Sequence, residues 1–308
     1  MPLNPIAQEI INAFPVNEVS KLTPDDFRLT VDEGAAAVER EEVDAIEDRN
    51  LVGADGQDLP IRVYRPEGIQ SPAPVTVFFH GGGWVVGGLV SHDAECRAIA
   101  NETKTVLIAV AYRLAPEYPF PAAPEDCYTA LCQIVDLSGE LNIDTERLAV
   151  MGDSAGGNLA TVVCLMSRDR GGPKIYHQLL IYPACDIDPE RWPSTKENAS
   201  GYLLTDEMMR WFYRHYVGAE IFVDEPYASP IRANDLSGLP STQIITAEFD
   251  PLRDEGEGYA QALSDAGVST YYECVPGLIH GFLGFAEMIP EAKEARNAAC
   301  QRLVTALG

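Results

Sequence analysis

Short apolar runs recur along the chain at intervals that fit buried strands: residues 75–79 (VTVFF), 106–111 (VLIAVA), 148–151 (LAVM), 179–182 (LLIY), 243–247 (QIITA) and 270–275 (TYYECV). Each is too short for a typical helix, and most are rich in β-branched or aromatic residues. Between them the periodicity lengthens. Residues 94–101 and 126–137 carry helical patterning, and the run from Asn158 to Leu165 reads as a buried helix. This alternation predicts an α/β fold, a mostly parallel central sheet flanked by helices on both faces and joined by right-handed crossovers. Residues 43–48 and 61–64 alternate as strands around a turn at 53–56, which predicts a hairpin. Near the N-terminus, Ile6, Ile10, Ile11 and Phe14 recur at near-helical spacing and residues 34–40 are alanine-rich, which predicts helices there too.

The run 148–151 leads straight into Gly152, Asp153, Ser154, Ala155 and Gly156. A strand thus turns sharply into a helix with Ser154 at the bend, and glycines two residues to either side leave room for a strained backbone. Gly-x-Ser-x-Gly in this context is the nucleophile-elbow signature of α/β-hydrolases, and its rival reading is an ordinary tight turn or helix N-cap. Three further stretches favour the elbow. His80, Gly81, Gly82, Gly83 and Trp84 follow the apolar run 75–79, and consecutive glycines there leave backbone N–H groups free to face a ligand. Asp250 follows the run 243–247, and His280 follows the run 270–275. Ser, Asp, His is the order in which α/β-hydrolases carry their triad.

Taken together, HGGGW at 80–84, YRLAPEYPFPAAPED at 112–126, GDSAGGN at 152–158, the Asp-Pro-Leu starting at Asp250 and the HGF ending at Phe282 resemble the hormone-sensitive-lipase-like family of microbial esterases, in its GDSAG branch. The resemblance runs from about Val75 to about Phe282. It implies the α/β-hydrolase fold with a helical cap: residues 1–45 as the N-terminal part of the cap, 46–184 as the first part of the core, 185–226 as the cap insertion and 227–308 as the second part of the core. Residues 185–226 break the strand-helix rhythm, and Met208, Met209, Trp211, Phe212, Tyr213 and Tyr216 make them too aromatic for a plain linker. Both cap segments would roof the pocket, with Trp211 or Phe212 contributing to it or simply burying against the core.

The chemistry expected is that of an acyl-enzyme. Ser154 would attack an ester carbonyl, His280 would take and return its proton, and Asp250 would hold the imidazole. The N–H groups of Gly82, Gly83 and Ala155 would meet the oxyanion. Preference for esters comes from the family, since such a triad serves amides or thioesters equally well. The resulting expectation is a serine carboxylesterase for short to medium acyl chains. A lipase or amidase, or a catalytically silent receptor-like homologue, is the alternative. Receptors resembling this family replace the triad histidine, whereas His280 is present here.

Other residues have plainer readings. Asp254, Glu255 and Glu257 crowd the loop after Asp250 and are explained as acids at a helix start. His80 would orient the glycine loop; His92, His177 and His215, with no motif around them, read as surface or packing residues. Asp153 matches the family branch and is assigned structural support.

Composition narrows the partners. Of the 308 residues 46% are hydrophobic, enough for a large core, and 22 basic against 47 acidic residues give a net charge of −25. That balance argues against nucleic acid or anionic membrane as partner, and favours a small neutral ester. The basic residues include only five lysines, Lys21, Lys104, Lys174, Lys196 and Lys293; an acidic, lysine-poor surface suits high salt, or is simply a solvated face. Seven scattered cysteines without C-x-x-C spacing read as reduced core residues. No metal motif is present, and no cofactor is expected. No apolar run approaches the ~20 residues of a membrane helix, and Met1 to Pro5 lack the start of a signal peptide. A soluble cytoplasmic enzyme is therefore expected, with homodimer formation left open.

Overall fold

The computed structural model of the protein describes residues 1–13, 21–36, 38–218 and 224–308. Its first two helices, α1 (Pro5–Ala13) and α2 (Pro24–Ala36), begin on polar caps followed by proline. Asn4 Oδ1 accepts the amides of Ile6 and Ala7 at 2.9 and 3.3 Å, and Thr23 Oγ1 accepts that of Asp26 at 3.2 Å. The alanine-rich stretch 34–40 is consequently only the end of a helix whose start Thr23 fixes. Phe14 lies outside the described residues.

The hairpin follows as β1 (Ala45–Val52) and β2 (Asp58–Arg65), its loop closed by a bond from Gly53 N–H to the Gln57 carbonyl at 2.7 Å. Strand and helix then alternate: β3 (Ala73–Phe79), α3 (Asp93–Thr103), β4 (Val106–Val110), α4 (Ala122–Asp136), the short α5 (Ser138–Leu141), β5 (Ile143–Asp153), α6 (Ala155–Arg170) and β6 (His177–Ile181). After β6 come α7 (Pro193–Glu197) and α8 (Asp206–Val217), then β7 (Ser241–Phe249), α9 (Arg253–Asp265), β8 (Thr270–Ile279) and α10 (Pro290–Leu307). Helix α4 starts at Ala122 rather than at the expected Asp126. Pro124 falls in its first turn, where a backbone N–H would have no helical partner anyway.

Eight strands form one sheet in the order β1-β2-β4-β3-β5-β6-β7-β8. Strand β2 runs antiparallel to both its neighbours, and from β4 to β8 every pairing is parallel. Successive side chains alternate between faces, and both faces are covered. Val75, Val77 and Phe79 of β3 pack into the cluster that holds Ala130 and Leu131 of α4, Leu159 of α6 and Leu263 of α9. Phe78, between them, points into the other cluster with Ile99 of α3 and Leu303 of α10. Each such side chain, fully removed from water, contributes about 1.5–3 kcal/mol. The parallel run places the ends of β3, β5, β7 and β8 along one edge, where the loops that follow them meet.

Candidate active site

Ser154 is the single residue between β5 and α6, at φ 54° and ψ −118°, a conformation that costs an ordinary side chain energy. Surrounding backbone bonds hold it there: its N–H donates to the Ile181 carbonyl at 2.8 Å, and its carbonyl accepts from Asn158 and Ala184 at 3.1 and 3.2 Å. The flanking glycines are required by close approach. A Cβ on Gly152 would lie 2.2 Å from the Gly156 carbonyl oxygen, and one on Gly156 would lie 1.9 Å from that of Phe79. The Gly-x-Ser-x-Gly spacing is thus what lets the strand end, the turn and the helix start pack against β3.

Three predicted side chains, from the ends of three strands, meet here. His280 Nε2 lies 2.9 Å from Ser154 Oγ, and its Nδ1 lies 2.8 Å from Asp250 Oδ2. Asp250 is fully buried, and its other oxygen accepts the Leu252 amide at 2.8 Å. A carboxylate can only accept, so Nδ1 carries the hydrogen of the Asp250 contact and Nε2 presents its lone pair to the serine hydroxyl. Tyr182, buried beneath the imidazole with ring centroids 4.7 Å apart, limits its tilt.

The loop after β3 lies alongside. Asp153 Oδ1 accepts the Gly81 amide at 2.8 Å, and His80 Nδ1 donates to the Gly81 carbonyl at 2.7 Å. His80 is stacked on Tyr112 at 4.3 Å, and the Tyr112 hydroxyl donates to the His80 carbonyl at 2.7 Å. Burial first, and then the neighbouring His92, push the His80 imidazole down to about 3, so it remains neutral. The amides of Gly82, Gly83 and Ala155 make no hydrogen bond among the described residues, and all three residues border the cavity that holds Ser154.

That cavity measures about 540 Å³. Its walls are mostly apolar: Phe27 and Val31 from α2, Leu203 and Leu204, and Met208, Met209, Phe212 and Tyr213 from α8. Helix α8 is capped by Thr205, whose Oγ1 accepts the Met208 amide at 3.2 Å, and its buried face supplies these side chains. Phe212 lines the cavity, whereas Trp211 turns toward Phe27 and His215, with centroids 6.0 and 4.3 Å away.

Two ionisable residues of this cavity escaped the sequence reading. His92, expected at the surface or in packing, lines the cavity with Nε2 3.8 Å from Asp153 Oδ1. Glu95 borders the cavity as well, and its Oε2 is buried with no partner among the described residues. Burial pushes both the Glu95 and the Asp153 carboxyls above their ordinary range, against the opposing pull of His92. The available signal was positional, since both lie at the start of α3, at the edge where the loops meet. Glu255 does more than its place at a helix start implies. It stands in the first turn of α9 as expected, but it is also buried, its Oε1 accepting the amides of Cys185 and Asp186 at 2.6 and 3.3 Å. Among the described residues no group of three or more His, Cys, Asp or Glu is arranged to hold a metal ion, and no helix is long and apolar enough to cross a membrane.

Comparison with known proteins agrees with this geometry. Residues 76–284 match the α/β-hydrolase fold family. The chain is 42% identical over 266 residues to Carboxylesterase NlhH of Mycobacterium tuberculosis, covering 85% of this chain and 83% of that protein. It is 38% identical over 281 residues to an ethyl acetate hydrolase of Pseudomonas putida, covering 89% and 87%. Among solved structures it is similar to a hyperthermophilic esterase from the archaeon Pyrobaculum calidifontis, with a TM-score of 0.94 at 38% identity over the full length of both chains. Fold, motifs and relatives agree, and the chain belongs to the α/β-hydrolase fold family, among its hormone-sensitive-lipase-like esterases.

Proposed function

We propose that the chain is a serine carboxylesterase that hydrolyses short to medium acyl-chain esters through an acyl-enzyme, with Ser154 as nucleophile, His280 as general base and Asp250 as the residue that orients it. The observation that carries this reading is the unbroken line from Asp250 through His280 to Ser154, at 2.8 and 2.9 Å, ending beside amides that have no partner among the described residues. As Ser154 attacks, its proton passes to His280 Nε2, and the imidazolium that forms is stabilised by the buried Asp250 carboxylate. The ester oxygen becomes an oxyanion that the N–H groups of Gly82, Gly83 and Ala155 receive; one such donor is worth roughly 3–4 kcal/mol of barrier. His280 then returns the proton to the leaving alcohol, and a water repeats the sequence to release the acid.

The acyl-length limit rests on the bounded cavity of about 540 Å³ and its apolar walls, together with similarity to a relative named for ethyl acetate. We assign residues 1–45 and 185–226 to a cap over a core of 46–184 and 227–308. Phe27 and Val31 on one side and Met208 and Phe212 on the other supply walls, while the three reacting side chains come from the core. The same reading includes a cytoplasmic location, in keeping with seven cysteines that form no disulfide. Whether two chains pair is left open by this reading, and sedimentation would decide it.

Ser154→Ala should lower p-nitrophenyl butyrate turnover by roughly 10⁴ or more while circular dichroism is unchanged. A fluorophosphonate should label Ser154 in the wild type. Retained turnover in the variant would mean another nucleophile, and a wild type that neither turns over esters nor takes the label would overturn the esterase reading.

A further inference from the structure

A second groove opens at the opposite end of the sheet from Ser154. It encloses about 380 Å³ between the amino ends of β6, β7 and β8 and the last turns of α10. His177 and Ser241, the first residues of β6 and β7, are cross-strand partners, and Gln243 is partnered with Tyr271 of β8. With a two-residue period these four share the sheet face that α10 covers.

Two side chains in this groove are left unmatched. The Ser241 hydroxyl donates to the Tyr176 carbonyl at 3.0 Å, so its oxygen is the acceptor for His177 Nδ1 at 2.8 Å. Burial pushes the His177 imidazole down to about 4, so it is neutral and its one N–H is the one facing Ser241. His177 Nε2 is therefore a bare acceptor, buried and without a partner among the described residues. Gln243 is 1% exposed, and neither its amide oxygen nor its amide nitrogen is bonded among the described residues. Buried groups of this kind are seldom left unpaired in a native protein.

Charge adds a third observation. The chain carries 47 acidic residues, yet among the described residues none lines this groove. Arg302 does, exposed on α10, with its guanidinium 3.6 Å from the Tyr271 ring centroid and no carboxylate partner among the described residues. Glu273, next on that face of β8, is engaged by the Tyr271 hydroxyl.

We propose that this groove binds a small hydroxylated carboxylate, one hydroxyl donating to His177 Nε2 and the carboxylate accepting from the Gln243 amide and the Arg302 guanidinium. A carboxylate alone leaves His177 unmatched, because it has no hydrogen to give. A neutral polyol leaves Arg302 without a counter-charge.

Gluconate is the probe, with acetate and sorbitol as controls, titrated calorimetrically into the full chain. Gluconate should bind one saturable site, with each control weaker by about tenfold or more. Arg302→Gln alters an exposed residue outside the core and should weaken gluconate by a similar factor, as should Gln243→Leu. Ser154→Ala should bind gluconate as the wild type does, since the groove lies at the other end of the sheet. The proposal fails if gluconate shows no saturable binding up to roughly 50 mM, if binding survives both groove variants, or if Ser154→Ala abolishes it. It fails equally if acetate or sorbitol binds as tightly as gluconate, or if a gluconate-soaked crystal holds only ordered water between His177 and Gln243.

Discussion

Asp153 Oδ1 accepts the amide hydrogen of Gly81 at 2.8 Å, so the residue immediately before Ser154 fixes the start of the glycine loop that follows β3. A strand end and a loop distant in sequence are joined beside Ser154, where the proposed nucleophile and amide donors would share one carbonyl group. Asp153→Ala removes the acceptor, and the amides of Gly82 and Gly83 lose their setting against Ser154. Loss of one buried hydrogen bond of this kind, about 1.5–3 kcal/mol, corresponds to a fall in kcat of roughly 10- to 100-fold with KM less affected. Asp153→Asn keeps an oxygen in place and should retain more of the rate. Steady-state kinetics on p-nitrophenyl acetate distinguishes the two; wild-type kcat in Asp153→Ala would show that the loop holds its position without this bond.

Gly83 sits at φ +58°, and a Cβ there would lie 2.2 Å from Cγ of Phe212. The ring is wedged against Phe27 and Trp211 and has little room to retreat. Gly83→Ala should therefore displace either the loop or α8 and reduce kcat/KM by about 100-fold or more. If the clash is the cause, Gly83→Ala combined with Phe212→Ala should recover part of that loss. A double-mutant cycle reads the coupling directly, and additive losses would count against it.

The sequence made the proposed reacting residues conspicuous for a physical reason. Ser154, Asp250 and His280 each stand just beyond an apolar run, where a buried strand must surface, and glycines or a proline mark the turn. Sheet order is what then brings them together. His92 and Glu95 carry no such mark, because their place in the cavity depends on how α3 packs across the loop after β3. The burial of Glu255 is illegible for a related reason: nothing in the chain near position 255 shows that the amides of Cys185 and Asp186 will close over it. Trp211 and Phe212 are neighbours in sequence, yet they stand about 100° apart around α8 and so meet different surroundings.

Asp126 is a fully buried carboxylate that accepts five bonds: from the Arg113 amide, Nε and one terminal nitrogen at 3.1, 2.7 and 3.0 Å, from Gln57 Nε2 at 2.8 Å and from the Ala54 amide at 3.3 Å. It ties α4 to the hairpin loop and to the segment after β4. Asp126→Ala would leave the largely buried Arg113 with the exposed Asp55 as its carboxylate partner and the Tyr118 ring beside it. Removing one partner of such a pair costs about 3–5 kcal/mol. Urea unfolding should show that loss, while KM for small esters stays within about twofold, since Asp126 lies outside the cavity wall. A change below about 1 kcal/mol would mean that the hairpin loop rearranges to pair Arg113 elsewhere.

Helix α2 forms one wall of the cavity, and Arg28 fastens it. Its Nε donates to the Val85 carbonyl at 2.8 Å, one terminal nitrogen donates to the Ala115 carbonyl at 2.9 Å, and both terminal nitrogens meet the Glu117 carboxylate at 2.9 and 2.7 Å. The Arg28 guanidinium holds the Glu117 carboxyl below its ordinary value of 4.5. A folded-state value below the unfolded one gives stabilisation that is fully present above about 4.5 and is lost as pH falls through the depressed value. Glu117 is 48% exposed, so solvent screens the pair and its worth to the whole fold is about 1 kcal/mol or less. The effect should be local. His215 and Asp25 also face this pair, His215 favouring the charged carboxylate and Asp25 sharing Arg28 at 3.0 Å. Hydrogen exchange in Pro24–Ala36, corrected for the intrinsic rate, should stay slow down to about pH 4.5 and quicken several-fold below it. Glu117→Gln should already show the faster exchange at neutral pH and no further step on acidification. A variant that keeps the wild-type step would show that the Arg28–Glu117 pair is not its source.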